Sequence, residues 1–122
     1  MQILAIFAVL TGICAPFASA TCFHKGEHWG SHADAKAKLS DACGAMAGVF
    51  AAGKTKSQCR DGIDFKAFNF EVQNKKDQRQ IISREKCIEY ISREIDNCGR
   101  GGEETIGGIR IRGDPNKGRC PT

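Results

Sequence analysis

The chain has 122 residues and a formal net charge of +4; the apolar run near its start is too short for a membrane-spanning helix, and no later stretch approaches the ~20 apolar residues that one needs. Stable insertion into a membrane is therefore not expected. The positive charge is mild and falls short of the clustered basic face of a dedicated nucleic-acid-binding protein, so no nucleic-acid partner is expected either.

Residues 1–20 have the pattern of a secretory signal peptide. They carry no charged side chain, contain an apolar run and end with small residues at Ala18 and Ala20. An apolar run followed by such an A-x-A site is typical of a signal that is removed on export. The sequence therefore predicts a signal peptide over residues 1–20 and a single cysteine-rich, secreted, extracellular domain over residues 21–122.

Six cysteines remain after the predicted signal peptide. An even number in a small secreted domain indicates a disulfide framework, in which each bond contributes ~2–4 kcal/mol. A zinc site is the alternative use of such a set, but the chain has no C-x-x-C pair and the predicted compartment is oxidising, so no metal is expected. The predicted disulfide cysteines are Cys22, Cys43, Cys59, Cys87, Cys98 and Cys120.

The first helix is predicted over residues 31–52. Ser31 is typical of a helix N-cap, and apolar residues recur every three or four positions as far as Phe50, which describes one buried helical face. Gly53 is the predicted stop. Trp29, just before the helix, is expected to pack against it and to need a hydrogen-bond acceptor for its indole N–H if buried.

The middle of the chain is predicted to hold one strand. Residues 54–62 are polar and are interpreted as a connector, whereas residues 63–72 are rich in aromatic and branched side chains that alternate. The alternation slips by one position near Ala67, which indicates either a bulge or a strand covered on both faces. Residues 74–80 are interpreted as a solvated turn, and the two isoleucines after them as a short strand or the lead into a helix.

The second helix is predicted over residues 84–98, capped by Ser83 and ended by a left-handed Gly99. Cys87 and Cys98 both lie on it, at a separation of ~16 Å along the helix axis. A disulfide needs Cα atoms roughly 4.4–6.8 Å apart, so these two cysteines cannot bond to each other. Of the ~15 pairings that six cysteines allow, about 12 remain open.

The last part of the chain is predicted to form a strand and a turn. Two isoleucines alternate with Arg110 and Arg112, which indicates a half-exposed strand with a basic outer face. Asp-Pro-Asn-Lys-Gly at 114–118 has the residues of a tight turn, and the Arg-Gly-Asp string before it is interpreted as part of this strand end and turn rather than as an adhesion signal. Together the elements predict an α/β fold: a small disulfide-stapled sandwich of two helices packed on a short, mainly antiparallel sheet.

Catalytic and metal chemistry find little support in the residues. His24, His28 and His32 are spaced by four, but Gly26 and Gly30 interrupt any helical face that the three rings would share. A small basic ribonuclease, the natural enzyme candidate, needs a general acid and a general base, and no histidine follows His32. We therefore expect a non-enzymatic protein without a cofactor or a metal.

A binding surface is the remaining hypothesis. Sugar sites commonly stack an aromatic ring on the sugar and use amides, carboxylates and arginines to bond its hydroxyl groups. The expected partner is a carbohydrate or a cell-surface glycoconjugate, and the oligomeric state is left open. The candidate binding residues are Trp29, Tyr90, Arg110, Arg112 and Asn116.

Several motifs resemble those of a family of small secreted fungal proteins. They are Cys22-x(6)-Trp29-Gly30, an alanine-rich helix to Cys43, Cys59 before an aromatic strand, Cys87 to Cys98, Gly101-Gly102 and Asp114-Pro-Asn-x-Gly-x-Cys120. With these motifs, essentially all of residues 21–122 resembles the domain named after a mushroom glycan-binding lectin, the "Y-three" protein. The resemblance implies an α/β sandwich held by disulfides and the recognition of glycans.

A weaker resemblance is to secreted killer toxins of the "killer protein four" type. These are also small, basic, disulfide-rich α/β domains with a helix between cysteines late in the chain. This second resemblance implies an antimicrobial or host-directed effector that acts on a membrane channel of a competitor or host. Lectin-like binding is the leading hypothesis and the toxin-like effector is its alternative.

Overall fold

The computed structural model describes residues 21–122, and the predicted signal peptide lies outside that range. All strand pairs in the described range are antiparallel. The predicted α/β class, with two helices, mainly antiparallel sheets and three disulfides, is confirmed. The elements in chain order are β1 (Thr21–Cys22), α1 (His32–Met46), β2 (Gly48–Phe50), β3 (Thr55–Gly62), β4 (Lys66–Asn74), β5 (Gln80–Ile82), α2 (Arg84–Asn97), β6 (Gly102–Ile106) and β7 (Ile109–Lys117).

Five strands form the main sheet in the order β1-β6-β7-β4-β3, and β2 pairs with β5 in a separate two-stranded ribbon. The register of β4 is continuous against both neighbours, with Phe70 opposite Gln58 on β3 and Gly113 on β7. Alternate residues of each strand therefore point to opposite faces of the sheet. One face is apolar, and its buried side chains are Phe68, Phe70, Val72, Ile109 and Ile111.

Both helices contribute their apolar side chains to the core that this sheet face lines. Ser31 caps α1 by accepting a hydrogen bond from the backbone N–H of Asp34, and Ser83 caps α2 through Lys86 in the same way, so both predicted caps are confirmed. Buried residues of the helices, the ribbon and the sheet form one hydrophobic cluster. The helical members are Ala35, Leu39, Ala42, Cys43, Met46, Cys87, Ile91 and Ile95.

Trp29 lies fully buried in this cluster. Its Nε1–H donates to the carbonyl of Cys98 at 2.8 Å, which supplies the acceptor that a buried indole needs. The ring stacks on Phe70 with centroids 6.2 Å apart and packs against Phe68 at 5.7 Å. Gly113 leaves room for the ring, since a Cβ atom at this glycine would lie 3.2 Å from the indole.

Three disulfides connect distant parts of the chain and use all six predicted cysteines. They tie β1 to the end of α2, α1 to α2, and β3 to the C-terminal tail. The two cysteines of the second helical segment bond to different partners, in keeping with the limit that helix length sets. Three disulfides in a small domain are consistent with an extracellular protein. The bonds are Cys22–Cys98, Cys43–Cys87 and Cys59–Cys120.

The first helix is shorter than predicted. It ends at Met46 rather than near residue 52, and Gly48, with a φ of 123°, begins strand β2. The position of Phe50 suits a buried helical face as well as a buried strand position, so the apolar spacing could not distinguish the two. The pairing of Gly48 with Ile82 on β5 makes this segment a strand rather than the end of the helix. Gly53, the predicted helix stop, lies in the turn after β2.

The polar stretch predicted as a connector, residues 54–62, is largely the edge strand β3. Its side chains show little apolar alternation because they meet helix α1 through polar groups, such as Arg60, whose Nε donates to Asp41 at 2.6 Å. Charged residues on an edge strand also hinder pairing with other chains. The polar sequence that was interpreted as a connector is therefore typical of an edge strand.

The strand predicted over residues 63–72 starts only at Lys66, because the residues before it form a hairpin turn. Asp64 and Phe65 both have a φ of 58°, in the left-handed region, and lie in the three-residue loop between the paired residues Gly62 and Lys66. The apparent slip in alternation near Ala67 is therefore the passage from turn to strand. The register of β4 against β3 shows no bulge.

The predicted Asp-Pro-Asn turn is wrong, because β7 runs through it to Lys117. Beyond Gly113, β7 no longer pairs with β6 and keeps β4 as its neighbour. The N–H that Pro115 lacks would point to the side where β6 has ended, so the proline interrupts no ladder. The Arg-Gly-Asp string is therefore extended strand, and the left-handed glycine that follows α2 is Gly101 rather than Gly99.

A buried pair of carboxyl groups lies between α2 and β6. Glu94 and Glu104 are both buried, and the Nη1 of Arg93 lies 3.3 Å from an oxygen of Glu104. Burial raises the pKa of Glu94 from 4.5 to about 8, and the charge of Glu104 adds to the shift. Between pH 4.5 and about pH 8, Glu94 is therefore protonated in the folded chain and ionised in the unfolded chain.

Stability should therefore fall as the pH rises. The neutral form of Glu94 carries no penalty below its unfolded pKa of 4.5, and the free energy of unfolding then decreases by up to ~1.4 kcal/mol per pH unit until about pH 8. Glu94→Gln, which resembles the protonated acid, should flatten this slope and raise stability at the alkaline end. Urea unfolding across this pH range measures the slope. Glu89→Gln, on the exposed side of α2, is the control, and equal slopes in all three proteins would contradict the assignment.

Asn74 connects the ribbon to the main sheet. Its buried side chain donates from Nδ2 to the carbonyls of Phe50, Ala51 and Gln78 at 3.1, 3.2 and 2.8 Å. Its Oδ1 accepts from the backbone N–H of Lys76 at 3.0 Å. One amide therefore holds the loop after β2 and the loop before β5 against the end of β4.

Removing this amide should be costly. Asn74→Ala leaves buried backbone groups without partners, and we expect it to lower the free energy of unfolding by about 2–4 kcal/mol. Asn69→Ala, at an exposed position of the same strand, should change it by roughly 0.5 kcal/mol or less. Denaturant unfolding of both variants measures the difference, and similar losses in the two would show that Asn74 does not hold the loops.

Candidate functional site

The face of the main sheet opposite its buried apolar side chains carries polar side chains. Arg112 of β7 lies directly between Glu71 of β4 and Glu103 of β6, and Asp114 lies opposite Asn69. Because side chains alternate along each strand, these groups share one surface, which we call the outer sheet face. Among its polar members are Ser57, Asn69, Glu71, Gln73, Glu103, Thr105, Arg110, Arg112, Asp114 and Asn116.

Arg110 is the most firmly held cation of the outer sheet face. Both of its Nη atoms lie 2.7 Å from the same oxygen of Glu71, and its Nε lies 3.7 Å from Glu103. Its Nη1 also lies 3.4 Å from the side-chain oxygen of Gln73. With a side chain that is only 19% exposed, Arg110 fixes the positions of its acidic neighbours.

Arg112 is held more loosely than Arg110. Its Nη2 lies 3.5 Å from Asp114 and its Nε lies 3.7 Å from Glu103, so its contacts are longer, and its side chain is 37% exposed. The guanidinium also lies over the ring of Phe23, 5.1 Å from the centroid. Its Nε is buried and makes no hydrogen bond to any residue of the described range. Within that range its Nη groups make one long hydrogen bond, to Asp114, so they keep donor capacity that Arg110 has already used.

The remaining groups add acceptors and further donors around the two arginines. Ser57 donates from its hydroxyl to Glu71 at 3.4 Å, and Asn116 donates to the backbone carbonyl of Asp114 at 3.3 Å. Asn69 is exposed beside them. Carboxylates accept, guanidinium groups donate, and amides and hydroxyls do both, so the outer sheet face can bond a neutral ligand that carries many hydroxyl groups.

The five predicted binding residues do not all meet. Arg110, Arg112 and Asn116 lie on the outer sheet face because they alternate along β7. Trp29 belongs to the core and offers no surface to a ligand, since the apolar environment of Phe68 and Phe70 and the acceptor at Cys98 bury it completely. This finding corrects its proposed role in stacking on a sugar.

Tyr90 is also separated from the other predicted residues, because it lies on α2. Its ring is half-buried against the core, and Lys86 and Arg93 lie 5.2 and 5.6 Å from its centroid. Tyr90 is therefore not part of the outer sheet face.

Several members of the site were missed in the sequence. Asn69 and Glu71 alternate with the buried phenylalanines of β4, so their outward direction is visible in the pattern once the strand is known. Glu103 and Phe23 gave no local signal. Their proximity to Arg112 depends on how β6 and the segment after β1 are placed beside β7, which only the register determines.

The histidines do not assemble into a site. Within residues 21–122, no group of three or more His, Cys, Asp or Glu side chains has the arrangement of a metal site. In the same range, no helix is both long enough and apolar enough to cross a membrane. The buried acids Glu94 and Glu104 point into the protein and not toward the outer sheet face.

Comparison with known proteins does not add a family. A scan with models of protein families finds no match to this chain. A search of curated proteins finds no significant match. The resemblance to the mushroom lectin family therefore rests on the positions of the sequence motifs, and the function has to be argued from the outer sheet face itself.

Proposed function

We propose that this chain is a secreted, non-enzymatic binding protein that recognises carbohydrate through the outer sheet face. The observation that carries the proposal is the set of groups around Arg112, where carboxylates and an amide lie on neighbouring strands beside a partly exposed guanidinium whose Nη groups make one long hydrogen bond within the described residues. Each sugar hydroxyl both donates and accepts, so a surface that offers donors and acceptors side by side suits a glycan.

Preorganisation of these groups supports the same function. Glu71 is held by Arg110 on one side and by Ser57 on the other. All of the groups stand on paired strands, which move less than loops. Little side-chain entropy is therefore lost when a ligand binds, which favours recognition by a small number of hydrogen bonds.

An aromatic ring stands at the border of the outer sheet face. Phe23 is half-buried and directly contacts Arg112 through its face. An aromatic ring beside hydrogen-bonding groups provides an apolar contact for the C–H face of a sugar. Phe23 thus takes the part that the sequence had led us to expect of Trp29.

The proposal includes the sandwich arrangement predicted from the sequence, with the helices on one side of the main sheet and the ligand on the other. It also includes export of the chain by residues 1–20. The three disulfides and the motif resemblance to the mushroom lectin family support an extracellular role. A carbohydrate or a glycoconjugate on a cell surface is the partner that this location provides.

A glycan array probed with the purified, oxidised protein tests the proposal. We expect binding to a defined subset of immobilised glycans, since dense display compensates for a weak affinity at each site. Binding to no glycan, combined with inhibited growth of fungal or plant cells, would contradict the lectin-like function and favour the toxin-like effector. Hydrolysis of RNA or polysaccharide by the pure protein would contradict the non-enzymatic part.

Variants of the outer sheet face should lose this binding without losing the fold. Arg112→Gln and Asn69→Ala each remove hydrogen-bonding groups from the site, and we expect each to weaken binding to the best array glycan by about tenfold. Titration of that glycan measures the affinity, and thermal unfolding verifies that both variants remain folded.

The helical side of the molecule provides matched controls. Lys36→Ala on α1 removes one exposed positive charge, as Arg112→Gln does, and should leave the affinity unchanged. Tyr90→Ala tests the aromatic ring on α2. Loss of binding in Tyr90→Ala, with full binding in Arg112→Gln, would place the site on the helices and overturn its assignment to the outer sheet face.

A further inference from the structure

Two large apolar side chains are exposed side by side on the ribbon formed by β2 and β5. Val49 pairs with Ile81 across the ribbon, and the two residues are 50% and 75% exposed. Their neighbours Phe50 and Ile82 are buried in the core and anchor the other side of the ribbon. The ribbon therefore presents an apolar pair to solvent on a fixed support.

Two basic loops lie at one end of this ribbon. Residues 51–54 join β2 to β3, and residues 75–79 join β4 to β5; we call them the basic loop pair. Their single acidic residue is Asp77. No ion pair found within residues 21–122 involves the cations of these loops. The exposed cations are Lys54, Lys75, Lys76 and Arg79.

Asn74 fixes the basic loop pair in place. Its side chain bonds to Ala51 in one loop and to Lys76 and Gln78 in the other, and its backbone N–H donates to the carbonyl of Lys54 at 2.9 Å. The two loops are therefore held side by side next to the apolar pair. Unpaired positive charge and exposed apolar surface meet at one end of the molecule in a preorganised arrangement.

We propose that the ribbon and the basic loop pair form a docking site for an anionic lipid surface. Val49 and Ile81 enter the boundary between headgroups and acyl chains, and the four cations contact the lipid phosphates. A membrane interface offers negative charge and an apolar layer at adjacent depths, which matches the two features found together here. A soluble polyanion would match the cations but would leave the apolar pair without a partner.

The other exposed apolar pair of the described chain supports the choice of the ribbon. Ile63 and Phe65, at the turn between β3 and β4, are 53% and 56% exposed, and Asp64 lies between them. Two exposed cations, Lys117 and Arg119, lie near this turn. The balance of positive over negative charge is smaller than at the ribbon, so the turn is the weaker match to an anionic surface and serves as the control.

Sedimentation with lipid vesicles tests the proposal directly. We expect the full protein to bind vesicles that contain phosphatidylserine and not vesicles of phosphatidylcholine alone, and binding should weaken at high salt. Val49→Ser/Ile81→Ser and Lys75→Gln/Arg79→Gln should each reduce the affinity for the anionic vesicles by about tenfold or more. Thermal unfolding verifies that these surface variants fold.

Matched variants at the hairpin turn separate this site from general effects. Ile63→Ser/Phe65→Ser removes similar apolar exposure, and Lys117→Gln/Arg119→Gln removes the same charge; both should bind vesicles as the unmodified protein does. Equal loss in these controls, or equal binding to neutral vesicles, would overturn the proposal. So would binding to heparin that needs Lys75 and Arg79 but not Val49 and Ile81, without any binding to vesicles. The outer sheet face takes no part in this test, so its outcome is independent of glycan binding.

Discussion

The burial of one indole ring organises the described part of this chain. The N–H of Trp29 donates to the carbonyl of Cys98 at the end of α2, and its ring stacks on Phe70 of β4. On β7 the ring meets Gly113, where an added Cβ atom would lie 3.2 Å from it, closer than an ordinary van der Waals contact. Cys98 is in turn bonded to Cys22 at the start of the described chain. Trp29 thus connects the segment before α1 with the end of α2 and with the two central strands, β4 and β7. A substitution at any of these contacts therefore disturbs the others.

This constraint also determines what the outer sheet face can be. Because the aromatic residues of β4 and the isoleucines of β7 turn inward to the core around Trp29, every second residue of the same strands turns outward. Those outward residues are Asn69 and Glu71 on β4, and Arg110 and Arg112 on β7. The alternation of side chains along β4 and β7 therefore places the apolar core on one face of the sheet and the polar candidate site on the other. Substitutions can alter binding without reaching the core, which is what makes the proposed site testable by point mutation.

The helices, their serine caps and the exclusion of a bond between Cys87 and Cys98 could be predicted from the sequence, since each depends on a local rule of helix geometry. The errors arose where a distant partner decides the structure. The spacing of Phe50 fits a buried helical position, but this residue pairs with β5 and is therefore part of a strand. Pro115 stands in a turn-like sequence, but the pairing with β4 continues the strand through it. The same limit applies to the site. Arginines on one strand could be predicted to share a face, but their contacts with glutamates on two other strands depend on a register that no local pattern contains.

The central claim is that one face of the main sheet binds carbohydrate, and chemical-shift mapping by NMR tests it most directly. With a glycan ligand titrated into isotopically labelled protein, we predict that the perturbed backbone and side-chain amides cluster around Asn69, Glu71 and Arg112, with further changes near Phe23. The amides of α2 around Tyr90 should remain unperturbed. Shifts confined to α2, or an absence of shifts with every glycan that resembles the array ligands, would contradict the assignment of function to the outer sheet face.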